Sequence, residues 1–358
     1  MNKLILLFVI SSIFLIGVLI AINTDFLDNF LLNNIFNDNS SIKNFDANLL
    51  ISIHSEADII QKRNDLKNSI WYSNEIPKTE KIFVEKNISD TRFLNIKNLK
   101  QIDKIIIEME HDVNSIVYLF HAQENNGELI IYHQGHSGGF VNGKSTIDFL
   151  LTNGYSVMAF SMPLKGLNSQ PIVQIPNIGD IKLIEHDQFE LLETNDFSPL
   201  HYFFSPINDS LNYLDKNYSF SKYHMIGISG GGWTTTVYPA IDTRIIKSFA
   251  VSGSLPLPLR IVPEDIGDYE QSHPKIYGIA NYLELYVMSS YGHNREFVQV
   301  FNKFDPCCFS GTLFENYQDE IKNKLSKLNY GKFAIILDDT HNEHKISEYA
   351  LEQILKKI

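Results

Sequence analysis

Residues 223–236 read YHMIGISGGGWTTT. An apolar run leads into Ser229, with glycine two places before it and one, two and three places after it. Glycine loses the most backbone freedom on ordering and brings no side chain to packing, so four of them around one residue imply a backbone that side chains would obstruct. The pattern Gly227-x-Ser229-x-Gly231 predicts a strained strand-to-helix turn that lifts the serine hydroxyl clear of a sheet. A glycine-rich loop capped by serine has the same five residues, so the flanking sequence has to decide.

Working outward, strands are expected at FLNI (93–96), KIIIEME (104–110), SIVYLFHA (115–122) and ELIIYHQ (128–134), with Asn125-Asn126-Gly127 suited to a hairpin turn. Strand and helix then alternate. A helix is predicted over Ser145–Asn153, ending at Gly154, followed by the buried strand YSVMAFSM (155–162). Ser205-Pro206 reads as cap and first turn of a helix through Lys216. YHMIGI is the next strand, Trp233–Ile241 a helix, and IIKSFAVSG (245–253), FVQVF (297–301) and KFAIIL (332–337) further strands before a closing helix over Ser347–Lys357. Such alternation predicts an α/β fold with a mostly parallel sheet covered on both faces. Residues 164–204 and 254–293, the second carrying the aromatic helix YGIANYLELYVMSSY (277–291), are long enough to form a lid or pocket wall.

The chain has 358 residues, 44% hydrophobic and 20% charged, enough for one large domain. A formal charge of -12 excludes a nucleic-acid surface, which needs clustered Lys and Arg. The adjacent Cys307 and Cys308 give no disulfide framework and read as two small apolar side chains in a buried segment.

Lys3 precedes an uncharged stretch from Leu4 to Ile22, close to the length that crosses a bilayer as a helix, with Asp25 and Asp28 behind it and no small-residue cleavage site. The expectation is an uncleaved anchor over residues 1–22 with the body outside the cytoplasm. Residues 23–79 are expected to form a spacer with short helical pieces. Within it Ser55, with Asp58 three places on, opens a helix through about Tyr72.

With this context the elbow, its preceding strand and its following helix resemble the α/β-hydrolase fold over residues 80–358. The loop in IIYHQGHSGGF (130–140), the strand and loop MAFSMPLKGLNS (158–169) with Gly166 and Ser169, and Asp-x-Arg in AIDTRIIKSFAVSGS (240–254) are similar to that family's segments in the same order. The resemblance implies nucleophile, acid and histidine in that chain order. Ser229 is then the nucleophile and Asp305, in FVQVFNKFDPCCF (297–309), the acid; as an isolated dipeptide, Asp305-Pro306 equally suits a turn. AIILDDTHNEHKIS (334–347) offers two bases, His344 preferred and His341 the alternative, with Asp338 and Asp339 as substitute acids. The oxyanion hole is expected from the amides of Gly230 and His136. His133 and His136 equally well only shape their loop.

These expectations amount to a carboxylic ester hydrolase acting on a small-molecule acyl ester through an acyl-enzyme, with no cofactor and no metal. A peptidase or an acyltransferase fits the same triad. Other classes remain open: a metal-dependent hydrolase using His133-x-x-His136 and His341-x-x-His344, or an anchored binding protein that has lost catalysis. Arg260, Glu270, His273 and Arg295 are candidates for orienting a polar substrate.

Overall fold

Successive residues of a strand point to opposite faces, and where both faces are apolar the strand has to be covered on both sides. Ile226 and Ile228 of one central strand, Phe249 and Val251 of the next and Val298 and Val300 of a third share one face with Ile147, Leu150, Ala350 and Ile354 from two helices. The computed structural model describes residues 45–73, 75–77, 82–261 and 265–358. Its strands are β1 (Ile82–Glu85), β2 (Leu99–Glu108), β3 (Asn114–Ala122), β4 (Glu128–His133), β5 (Ser156–Phe160), β6 (Ile172–Ile175), β7 (Gly179–Lys182), β8 (Lys222–Ile228), β9 (Ile245–Val251), β10 (Glu296–Asn302) and β11 (Lys332–Asp338). Its longer helices are α1 (Glu56–Trp71), α2 (Lys144–Thr152), α3 (His201–Asn217), α4 (Gly230–Ile241), α5 (Tyr282–Ser290), α6 (Gln318–Leu328) and α7 (Glu348–Leu355).

The main sheet runs in the order β1-β2-β3-β5-β4-β8-β9-β10-β11, while β6 and β7 pair only with each other. The β1/β2, β2/β3 and β3/β5 pairs are antiparallel and every pair from β5/β4 to β10/β11 is parallel. Register brings the strand ends together. His133 lies opposite Gly227, Ile228 opposite Val251, Val251 opposite Val300 and Asn302 opposite Asp338. The loops after β4, β8, β10 and β11 therefore leave one carboxyl edge of the sheet, where open α/β sheets build their sites.

Several elements differ from expectation. FLNI is not a strand: Thr91–Phe93 is a 3-10 turn that sinks Phe93 against Phe120 and Phe140, and the edge strand β1 precedes it. The Asn125–Gly127 turn joins strands that do not pair, because β5 lies between them. Its asparagines bond to their own turn at the Gly127 and Glu128 amides, and Asn125 Nδ2 reaches Ser156 Oγ at the start of β5. Helix α3 starts at His201 and carries Pro206 inside. Packing of Phe203 and Phe204 on Trp233 holds the extra turn despite the hydrogen bond that proline removes. Helix α5, in the segment expected to form a lid or pocket wall, is buried at every position.

From Asp46 onward the segment read as a spacer is part of the same compact unit. Helix α1 opens on the Ser55/Asp58 capping box and closes at Tyr72 in the left-handed conformation. It docks by Lys62 Nζ on the Ile279 carbonyl at 2.6 Å, Arg63 Nε on the Ala240 carbonyl at 2.9 Å and Trp71 Nε1 on Ser205 Oγ at 2.8 Å. The apolar stretch Leu4–Ile22 lies outside the described residues, and among those described no helix is long and apolar enough to cross a membrane.

Candidate active site

Ser229 sits between the last residue of β8 and the first of α4 with φ 56° and ψ −127°, a conformation sparsely populated by residues with a side chain. Its glycines are demanded by contact. A Cβ on Gly227 would fall 2.1 Å from the Gly231 carbonyl oxygen, and one on Gly231 would fall 2.1 Å from the His133 carbonyl oxygen. The elbow is thus wedged between its own helix and the end of β4.

The loop after β4 flanks the serine. A Cβ on Gly135 would lie 3.1 Å from Ser229 Oγ, and one on Gly230 would strike the His136 ring at 2.4 Å. Gly230 is the first residue of α4, so its amide has no acceptor within the helix and faces outward from the helix's positive end. The His136 amide follows directly on Gly135 in the same loop.

Asp305 and His344 come together: His344 Nδ1 donates to Asp305 Oδ2 at 2.8 Å. The Cys307 amide donates to the other carboxylate oxygen at 2.9 Å. Burial works to raise the Asp305 carboxyl, and these hydrogen bonds outweigh it and hold the group below its ordinary value. His344 Nε2 is buried without a hydrogen-bond partner among the described residues. His341 lies beside a different carboxylate, and its Nε2 is likewise buried without a hydrogen-bond partner among the described residues. Its Nδ1 accepts from the Glu343 amide at 3.1 Å and its Nε2 lies 3.3 Å from Asp338 Oδ2. Asp338 in turn binds Thr340 and Ser347.

The remaining candidates are placed by the core. His133 is buried, stacks on Phe160 and has Nδ1 at 2.9 Å from the Gln134 carbonyl; it does not meet His136. With His341 on Asp338 and His344 on Asp305, neither His-x-x-His pair forms a ligand set. Arg295 gives its nitrogens to the carbonyls of Ile245, Met288, Tyr291 and Pro239, so it braces the core and leaves nothing for a substrate. Arg260 binds the carbonyls of Leu255, Asp265 and Ile266 and stacks on Tyr282 and Phe309. His273 Nε2 pairs with Glu193 at 3.3 Å. Cys307 and Cys308 form a disulfide with each other, and Cys307 is exposed, contrary to the buried thiols expected of them. The loop turns there to point both cysteine amides at Asp305, and Cys308 is only partly buried.

Glu270 was a candidate, but its partners were not legible. Its fully buried carboxylate meets His136 Nε2 at 2.9 Å and His186 Nδ1 at 3.1 Å, and Asp268 Oδ2 lies 3.1 Å from His136 Nε2. Burial works to raise the Glu270 carboxyl, but the two imidazoles hold it far below the ordinary carboxylate range. His136 is raised, because Glu270 outweighs the opposing effect of burial. His186 and Asp268 stand in the two long insertions, far apart in sequence, and no spacing rule joins them.

One consequence for stability follows at His133. Burial pushes its imidazole down to about 4. An unfolded-chain histidine protonates at about 6.5, so on acidification the unfolded state binds the proton first and stability is lost from there down to the folded value. Between about pH 7 and about pH 5 this residue should remove about 2 kcal/mol of unfolding free energy. Urea unfolding of His133→Gln should show that much less pH dependence; an unchanged slope would contradict a neutral buried ring.

No family model and no curated protein matches the chain. Solved structures do. An acetyl xylan esterase from Paenibacillus sp. R4 is 14% identical, with a TM-score of 0.55 over 87% of this chain and 96% of its own. A glucuronoyl esterase from Solibacter usitatus is 12% identical, with a TM-score of 0.56 over 83% and 91%. Acetyl xylan esterase 1 from Thermoanaerobacterium sp. JW/SL YS485 is 12% identical, with a TM-score of 0.55 over 84% and 92%. The strand order, the parallel register and these likenesses define the α/β-hydrolase fold.

Proposed function

We propose that the protein is a carboxylic ester hydrolase in which Ser229 attacks the ester carbonyl and His344, oriented by Asp305, takes and returns the proton. The observation that carries this reading is the Asp305–His344 pair with Nε2 buried and unpartnered, on the same sheet edge as the elbow. Ionised Asp305 accepts the proton on His344 Nδ1, which fixes the tautomer with the lone pair on Nε2. Nε2 then deprotonates the Ser229 hydroxyl as Oγ bonds to the carbonyl carbon. The oxyanion is received by the amides of Gly230 and His136 and by the positive end of α4. Collapse breaks the ester C–O bond, the alcohol leaves with the proton from Nε2, and water repeats the sequence to free the acid and Ser229.

Ester cleavage is favoured over peptide cleavage because the solved structures of similar fold include two acetyl xylan esterases and a glucuronoyl esterase. The fold also hosts other chemistries, so the test has to be chemical. The purified protein should hydrolyse short-chain aryl esters and be labelled by a fluorophosphonate on the peptide containing Ser229. Ser229→Ala should lose both. Labelling elsewhere, or turnover that survives Ser229→Ala, would overturn the assignment.

A further inference from the structure

Beside the elbow, four ligand atoms converge from three separate parts of the chain. His136 comes from the loop after β4, His186 from the insertion between β7 and α3, and Asp268 and Glu270 from the segment between β9 and α5. We propose that these four residues form a closed divalent-metal site, best suited to zinc, that ties both insertions to the oxyanion loop. This goes beyond the esterase reading, since the ion takes no part in the attack on the ester.

Three observations support it. The first is spacing. His136 Nε2 lies 2.9 Å from Glu270 Oε1 and 3.1 Å from Asp268 Oδ2, and His186 Nδ1 lies 3.1 Å from Glu270 Oε2 and 3.8 Å from Asp268 Oδ2. With one ligand atom taken from each residue, all four lie within 4.8 Å of one another; a tetrahedral ion with bonds of about 2.0 Å and ligand-to-ligand edges of about 3.3 Å would draw one Glu270 oxygen in between the two ring nitrogens.

The second is the tautomer of His186. Its Nε2 is 2.9 Å from the Pro163 carbonyl, an atom that only accepts, so Nε2 carries the hydrogen. In the neutral ring this leaves the Nδ1 lone pair aimed at the carboxylates. Metal-bound histidines show this arrangement, with the far nitrogen donating to a carbonyl and the near one ligating.

The third is charge and hydrogen count. Glu270 and His186 have fully buried side chains, and two carboxylates share one pocket. Three carboxylate oxygens face only two ring nitrogens, so N–H donors alone leave His136 Nε2 shared between two acceptors. A divalent cation binds all four groups with both imidazoles neutral, and its charge cancels the two carboxylates. Mixed nitrogen and oxygen donors in a four-coordinate set suit zinc. Asp268, half-exposed, leaves a path for the ion to enter.

The consequence lies at His136. With Nε2 on the ion, the ring is fixed with its Nδ1 edge against Gly230, so the ion would hold the loop that flanks Ser229 in one position.

The test uses the full chain, dialysed against a chelator under non-reducing conditions and then titrated with zinc chloride, with bound metal measured per chain. One equivalent should bind. Glu270→Gln and His186→Gln should weaken binding at least about 100-fold and Asp268→Asn at least about 10-fold, following the sensitivity of metal sites to their donors. Asp268 is the most exposed of the four, so its variant reports even where the buried ones fail to fold. Cobalt(II) bound to the unaltered protein should give the intense visible absorption of a tetrahedral site, and zinc should displace it. A wild-type chain that stays empty, or an Asp268→Asn chain that binds with wild-type affinity, overturns the proposal. Fluorophosphonate labelling of Ser229, run on the same samples, reports separately on the esterase reading.

Discussion

His344→Ala is expected to lower ester turnover by about 10⁴-fold to 10⁶-fold, with KM changed little, while His341→Ala stays within about threefold of the wild type. The two histidines are three residues apart in one loop, and the difference rests on what each nitrogen touches. His344 has one nitrogen on Asp305 and the other buried with no partner, so its loss would remove the proposed base and leave Asp305 without its neighbour. His341 Nε2 is also buried without a hydrogen-bond partner, 3.3 Å from Asp338 Oδ2, but its Nδ1 accepts from the Glu343 amide, so in the neutral ring Nε2 carries the hydrogen and has no lone pair with which to act as base. Removing it exposes a loop and deprives the reaction of nothing. Steady-state kinetics on both variants, with unfolding curves to show that each is folded, would decide. Equal losses, or the larger loss at His341, would transfer the role of base.

Gly227→Ala should destabilise the protein by about 3 kcal/mol or more and abolish activity with it. The added methyl has nowhere to go: it would lie 2.1 Å from the Gly231 oxygen, 2.4 Å from the Gly231 carbonyl carbon and 2.5 Å from Thr235 Oγ1. Two of those atoms are backbone in the first turn of α4, so relief requires moving the helix off β8, and Ser229 moves with it. Gly231 meets the same obstacle against the carbonyl of His133 at the end of β4. Denaturant unfolding measures the loss directly. A variant within about 1 kcal/mol of wild type that still turns over ester would show that the elbow has more slack than these distances allow.

The elbow was legible because its chemistry is local: four glycines within six residues can be read without knowing what surrounds them. Asp305 and His344 were legible for a different reason. Each follows the end of an apolar strand, and a parallel sheet brings such ends to one edge. Pairing order across the antiparallel flank was not legible, since the Asn125–Gly127 turn suits a hairpin locally and only the placement of β5 between β3 and β4 rules it out. The early start of α3 depends on aromatic contacts with Trp233, which outweigh the local preference of proline for a first turn. Cys307 and Cys308 were misread as buried because their neighbours are apolar, whereas the turn is shaped by amides reaching back to Asp305. The cluster around Glu270 was hidden most completely: its members are up to 134 residues apart, a separation that only the folded chain closes.

Helix α1 grips the far end of the helix that begins at Ser229. Arg63 caps the Ala240 carbonyl and Arg295 the Pro239 carbonyl, so two cations meet the electronegative end of α4 while its opposite end adjoins Ser229. At 12 residues the two ends are about 18 Å apart by helical rise. A shortened protein starting at β1 would therefore uncover the apolar stripe that received Ile59, Leu66 and Ile70 and strip one counter-charge from behind Ser229. Proteolytic trimming upstream of the sheet would thus reach the proposed nucleophile from the rear, and a version that keeps this support has to retain α1 with its Ser55 cap.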